Sequence, residues 1–240
     1  MPNWCYNTAT LTASKEQIDA LEQELQKEES NPFQHLRPRP ADQEENWYDW
    51  NINNWGCKWD ITPHDWQRED DTTIVMHFDS PWSPPITLYE FMQDNGWTVN
   101  ALYHEGGMGY IGSYVDGYDD YHDYDMTDRD SIEDLPEELI DFGGLMEEHD
   151  RWVEDAEMEA EAEAYEATVT DWNSVDVNPE HIGFYETKLE NNWPFYKFAK
   201  WDGKKWTIDG KKPKEPFAFW RGLKEPWDPT TELDKIVAPE

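Results

Sequence analysis

Thr72-Thr-Ile-Val-Met-His-Phe78 decides the fold. Its β-branched and aromatic residues make it the clearest strand in the chain, and Pro81-Trp-Ser-Pro-Pro85 stops it. Downstream, residues 86–95 predict a helix, with Gly96 just past its end in the position that favours a left-handed backbone. A strand over 97–104, a turn at Gly106 and Gly107, and a strand over 110–115 follow. Upstream, residues 5–13 form a short β-prone stretch with Thr at alternate positions. Ser14-Lys-Glu-Gln17 then opens a helix with a capping box. Ile18, Leu21 and Leu25 follow at helical spacing, and the helix should end near Glu28. Residues 31–40 hold three prolines and read as a loop, and residues 46–60, packed with Trp and Asn, read as extended or looped.

A β-α-β-β-α-β order needs one more strand, which residues 47–59 could supply. The expectation is an α+β, ferredoxin-like antiparallel sheet with two helices on one face. Its core should contain Ile18, Leu21, Leu25, Ile74, Met76 and Phe78.

Negative charge is concentrated in one place. Residues 116–166 hold 22 Asp and Glu against Arg129 and Arg151, a net −20 of the chain's −35. Residues 1–115 carry −13, residues 167–187 carry −4, and residues 188–240 carry +2. Such a balance disfavours direct binding of nucleic-acid backbone and of anionic membrane. It points to cationic partners. High charge would suggest disorder, but 15 Trp, 12 Tyr and 9 Phe oppose that, because each ring brings a large apolar area to a core or an interface.

The acidic stretch has two parts. Residues 116–133 alternate Asp with Tyr without apolar periodicity and predict a loop. Residues 135–169 are helix-prone, with an Ala156, Ala160 and Ala164 stripe one turn beyond Trp152. Lacking Lys partners at i+4, that helix is marginal unless it docks. Further on, Phe184-Tyr-Glu-Thr-Lys188, Phe195-Tyr-Lys-Phe-Ala-Lys-Trp201 and Lys205-Trp-Thr-Ile208 read as strands. Asp202-Gly203 and Asp209-Gly210 supply hairpin turns. The organisation is therefore an α+β domain over 1–115, an acidic loop and helical segment over 116–177, and a small two- or three-stranded β unit with a Pro-rich tail over 178–240.

Cys5 and Cys57 are too few for a disulfide framework and should both be reduced. The start lacks a secretory signal pattern, and no run reaches membrane-spanning length. Cytoplasmic residence is the expectation.

Four blocks carry a family resemblance: Met1-Pro-Asn-Trp-Cys-Tyr-Asn7; Trp47-Tyr-Asp-Trp50 with Asn54-Trp-Gly-Cys-Lys-Trp-Asp60; Phe78-Asp-Ser-Pro-Trp-Ser-Pro-Pro85; and Tyr103-His-Glu-Gly-Gly-Met-Gly-Tyr110. Over residues 1–115 the chain resembles the YubB ferredoxin-like family of bacteriophages and plasmids. The resemblance implies that fold and a mobile-element origin, hence residence in a host cytoplasm, and no established activity.

Candidate chemistry is sparse. Trp50, Asn54, Trp55, Lys58, Trp59 and Asp60, with Trp82 and Glu105 nearby, could wall a ligand pocket; the plainer reading is a core rim whose polar groups satisfy turns. His104 beside Glu105 makes a poor acid–base pair, since neighbours on a strand face opposite ways. The other histidines lack metal-ligand spacing. Residues 123–134 resemble a Ca²⁺ loop but place Asp128 where Gly is needed. No phosphate-binding loop, serine elbow or nucleotide fingerprint occurs, and neither cofactor nor metal is expected.

The acidic stretch is either a solubilising spacer or a nucleic-acid mimic that captures a basic groove. Its interleaved rings favour the mimic, because a spacer needs no anchors. The expectation is a phage-encoded, non-enzymatic protein that blocks a basic, nucleic-acid-binding surface of a host protein. Asp119, Asp120, Asp123 and Asp125 would supply steering, and Tyr118, Tyr121, Tyr124 and Trp152 anchoring. A ligand-binding protein or enzyme using the Trp-rich pocket, and a virion or assembly component, are the alternatives. Oligomeric state is not legible.

Overall fold

The computed structural model describes residues 3–188, 197–208, 210–213 and 217–223. The chain is α+β and divides into two units, Met1–Val153 and Glu154–Glu240.

The first unit is built on a six-stranded antiparallel sheet. In chain order its elements are β1 (Trp4–Thr12), α1 (Lys15–Leu25), α2 (Pro32–Leu36), α3 (Trp47–Trp55), β2 (Asp65–Arg68), β3 (Thr73–Pro81), α4 (Ile86–Asp94), β4 (Thr98–Glu105), β5 (Tyr110–Val115), β6 (Tyr118–Asp123), α5 (Arg129–Glu133) and α6 (Glu137–Gly143). Helix α7 (Leu145–Thr168) begins in this unit. The sheet order is β2-β3-β1-β4-β5-β6. Strand β1 pairs antiparallel with both β3 and β4, so Ala9 lies between Met76 and Ala101.

One sheet face carries Ala9, Leu11, Ile74, Met76, Phe78, Val99, Ala101 and Tyr114. Against it pack Ile18, Leu21 and Leu25 of α1 and Leu88, Tyr89 and Met92 of α4, with Phe33 and Trp55. The Ser14 capping box forms as the sequence requires, and the six expected core residues are all buried.

The expected loop over residues 31–40 contains the short helix α2, and three further expectations need correction. Residues 47–55 form helix α3, not an extended segment. Trp50 and Trp55 lie about 1.4 turns apart and meet edge to face, with ring centroids 5.6 Å apart. Gly56 ends the helix in the left-handed region at φ 85°. The strand expected there is β2, further on. Residues 118–123 are strand rather than loop, hydrogen-bonded to β5 along their length. Third, residues 116–153 fold with the first unit: Ile132, Leu135, Leu139 and Leu145 form a second core with Ile111 and Tyr124, and Leu102, Ile140, Phe142 and Met146 pack on it. Ile111 and Leu102 point away from the first core, so this part of the acidic stretch covers the opposite sheet face.

The second unit holds β7 (Asn173–Ser174), β8 (Gly183–Lys188), β9 (Lys197–Trp201), β10 (Trp206–Thr207) and β11 (Phe219–Arg221) in one sheet of order β10-β9-β8-β11-β7. Among the described residues five strands replace the two or three expected. Trp201, Trp220 and Phe217 are buried, with Trp206 among them. Arg221 is buried beside Glu186 and reaches Glu166 at the end of α7. The start of the expected strand at Phe195 and the Asp209 turn position lie outside the described residues. Ala160 and Ala164 of α7 are exposed, so the expected alanine stripe does not pack.

Candidate functional site

Strand β6 forms an edge of the sheet. It is joined to β5 by Asp116-Gly117, at φ 51° and 81°, the backbone of a two-residue hairpin turn whose central residues are both left-handed. Period-two geometry puts Asp119, Tyr121 and Asp123 on one face, and Tyr118, Asp120 and His122 on the other. Tyr118 is 68% exposed and Tyr121 49%.

The first of these faces is braced from beneath. The Tyr103 hydroxyl on β4 donates to Asp119 across β5 at 2.6 Å. It can do so because residue 112 is glycine: a Cβ there would sit 2.3 Å from the Tyr103 oxygen and 2.5 Å from the Asp120 carbonyl. Gly112→Ala is therefore expected to cost about 1–3 kcal/mol through overpacking, read as a lowered denaturation midpoint. An unchanged midpoint would show that the Tyr103–Asp119 brace is not required. Tyr121 stacks on buried Tyr110 at 5.4 Å, and its hydroxyl donates to Asp123 at 2.6 Å. That bond and partial burial lift the Tyr121 pKa to about 12. Asp120 lies 3.2 Å from His122 Nε2. Asp125 accepts from the Thr127 N–H and hydroxyl at 2.9 and 2.8 Å, which hold its carboxyl below the usual range.

Of the expected anchors, Tyr118 and Tyr121 are presented to solvent. Tyr124 is buried, with its hydroxyl 2.7 Å from His104 Nε2, and leaves the exposed set. Trp152 is exposed on α7 and stacks beside His149 at 6.5 Å. Helix α7 is itself strongly acidic. It has 24 residues, ten of them Asp or Glu. At about 1.5 Å rise per residue, that is one carboxylate per ~3.6 Å, close to the ~3.4 Å axial spacing of phosphates along one DNA strand.

Four of the expected pocket residues, Asp60, Asn54, Trp55 and Glu105, bond to the backbone through their side chains. Asp60 accepts from the N–H groups of Phe33, Gln34 and Ile61 at 2.7 to 2.9 Å, capping α2. Burial raises its pKa against those three donors. Asn54 donates to the Trp50 carbonyl. Trp55 is buried and donates to the Arg37 carbonyl. Glu105 is buried and accepts from Gly107 and Met108 in the turn after β4. Asp60→Asn turns one acceptor into a donor facing the Gln34 N–H. A loss of about 1–3 kcal/mol in unfolding free energy is expected, measurable by urea titration; no loss would indicate that Asp60 is free to serve a ligand.

What the sequence reading missed is that Lys58, Trp59 and Trp82 of the expected pocket join Trp4 and Tyr48 in an exposed aromatic end of the sheet. The antiparallel pairing brings the start of β1 to the ends of β3 and β4, so the four blocks quoted above meet there. Asn7 donates to Ser80, Ser80 to the Ser83 carbonyl, and Ser83 to the Gly56 carbonyl. The Trp82 N–H donates to Asn3 and the Tyr110 hydroxyl to the Trp82 carbonyl. Trp4 is 46% exposed and Trp82 48%. Trp4 meets Trp59 edge to face at 6.2 Å, and the Lys58 ammonium sits 4.8 Å from the Trp59 ring and 5.8 Å from the Tyr48 ring. Trp82 has φ 74°, a left-handed backbone that costs a bulky residue of order 1–3 kcal/mol. The legible signal was positional: three of the four blocks open or close a strand, and the second ends helix α3.

Cys5 and Cys57 are both free and buried, and burial pushes the Cys5 thiol up to about 12. Among the described residues no cluster of His, Cys, Asp and Glu could hold a metal ion, and no helix is long and apolar enough to cross a membrane. No family model, curated protein or solved structure matches the chain.

Proposed function

We propose that this chain is a non-enzymatic binding protein of phage or plasmid origin that occupies a basic, nucleic-acid-binding surface of a host protein. The observation that carries this is the fold of residues 116–153. A spacer has no need of buried Ile132, Leu135, Leu139 and Leu145, nor of a strand whose carboxylates are fixed by sheet pairing. Ordered carboxylates with exposed rings between them are what capture of a cationic groove requires.

We further assign the first unit to the ferredoxin-like class. The β2-β3-β1-β4 order, with α1 following β1 and α4 joining β3 to β4, supports that class; β5 and β6 extend it. The meeting of the four blocks at one sheet end supports the YubB resemblance. The two free thiols fit a reducing host cytoplasm.

The test is affinity capture from bacterial lysate at low and high salt, with the wild-type chain and a variant carrying Asn at 119, 120, 123 and 125 as baits. A basic nucleic-acid-binding protein held by the wild type, and released by salt or by the substitutions, is the expected result. Capture that survives both would refute the proposal.

A further inference from the structure

Trp82 combines a strained backbone with a half-exposed ring. Its backbone is held in the left-handed region by the bonds to Asn3 and Tyr110 on either side of the residue. About half of its ring surface faces solvent, so the strain sets an aromatic face outward rather than filling a core. Gly or Asn would adopt this φ with less strain. An observed outlier of this kind at an exposed aromatic residue leads to a hypothesis of function.

We infer that Trp82, Trp4 and Trp59 form a platform that receives arginine side chains of a partner protein. Two observations select that chemistry. The neighbouring rings already hold a cation, since the Lys58 ammonium lies over Trp59 and Tyr48. The chain's −35 charge draws cationic surfaces to the molecule. Arginine fits better than lysine because its guanidinium is planar, is less strongly hydrated and stacks on aromatic faces. The inference rests on the proposed function only in taking the partner to be basic. It adds a second contact surface, distinct in residues from β6 and α7, and a side-chain preference that charge alone does not give.

The test uses two fluorescently labelled homopeptides of equal length, one of arginine and one of lysine, titrated by anisotropy against the full chain. Wild-type protein is expected to bind the arginine peptide about tenfold more tightly, from two or three cation–ring contacts. Trp4→Ala and Trp82→Gly should each bring the two affinities close together. Trp82→Gly should do so with little change in the thermal midpoint, because relief of the backbone offsets the ring's lost burial. A ring with a merely structural role would lower that midpoint when removed. Trp82→Asn, which tolerates the same φ, provides a second variant should the glycine chain fail to fold.

The Asn substitutions at 119, 120, 123 and 125 should weaken both peptides alike and leave the arginine preference intact. Equal affinities in the wild type, or a preference that persists in Trp4→Ala and Trp82→Gly, would overturn the platform and leave the acidic-surface proposal standing. A preference abolished by the Trp variants, with affinity untouched by the Asn set, would uphold the platform and remove β6 from the proposed function.

Discussion

Leu145→Ala is expected to lower the stability of the 1–153 unit by about 2–5 kcal/mol. Leu145 is fully buried, as are Ile132 and Ile111 around it, and a residue this enclosed leaves a cavity that its neighbours only partly fill. The effect matters beyond its size because Leu145 lies inside the acidic stretch, just before α7 becomes exposed. A solubilising spacer would tolerate the change silently. Hydrogen exchange of the β6 amides should accelerate in the same variant, since the core beneath the strand loosens. Unchanged stability would mean that the acidic stretch is not part of the fold.

The Asn substitutions at 119, 120, 123 and 125 should act in the opposite sense on stability and strongly on capture. Asp119, Asp123 and Asp125 are exposed and Asp120 is partly exposed, and all lie in a region of net −20. Their removal relieves self-repulsion, and the denaturation midpoint should hold or rise. Affinity for the basic partner should fall about tenfold or more at low salt, and its dependence on salt should flatten. The hydrogen bonds from Tyr103 to Asp119 and from Tyr121 to Asp123 can be kept by the amide oxygen of Asn, so a loss of binding would report charge rather than local unfolding. Replacing Glu157, Glu159, Glu161 and Glu163 of α7 by Gln separates the helix's share from that of β6.

Much of the first unit was legible because its pattern is regular. Residues 73–81 combine β-branched residues with period two, residues 14–25 carry a complete cap and an apolar stripe, and Gly96 marks the end of α4. Helix α3 was not legible from propensity, because Trp and Asn are mediocre helix formers; the packing of Trp50 against Trp55 overrides them. Gly56 was nevertheless present as a stop signal. Strand β6 was hidden by its aspartates, which disfavour strands. Yet Asp116-Gly117, placed between Val115 and Tyr118, is a strong two-residue hairpin signal. Ile132, Leu135 and Leu139 likewise marked apolar positions inside the acidic stretch; they lie on α5, on the link to α6 and on α6, and are buried together. The charge there drew attention from four leucines and isoleucines that hold it in place. Lys58, Trp59 and Trp82 of the aromatic end were legible as candidates, but their meeting with Trp4 was not, since it depends on which strand ends the antiparallel order brings together.

The central claim is that ordered carboxylates block a nucleic-acid-binding surface, and a competition experiment tests it most directly. Labelled duplex DNA is bound to the captured host protein, and the chain is added while anisotropy is followed. Displacement of the DNA at low salt, suppressed at high salt and weakened by the Asn substitutions at 119, 120, 123 and 125, is the expected result. DNA that stays bound while the chain joins the complex, or displacement undiminished by both the Asn substitutions and high salt, would contradict it.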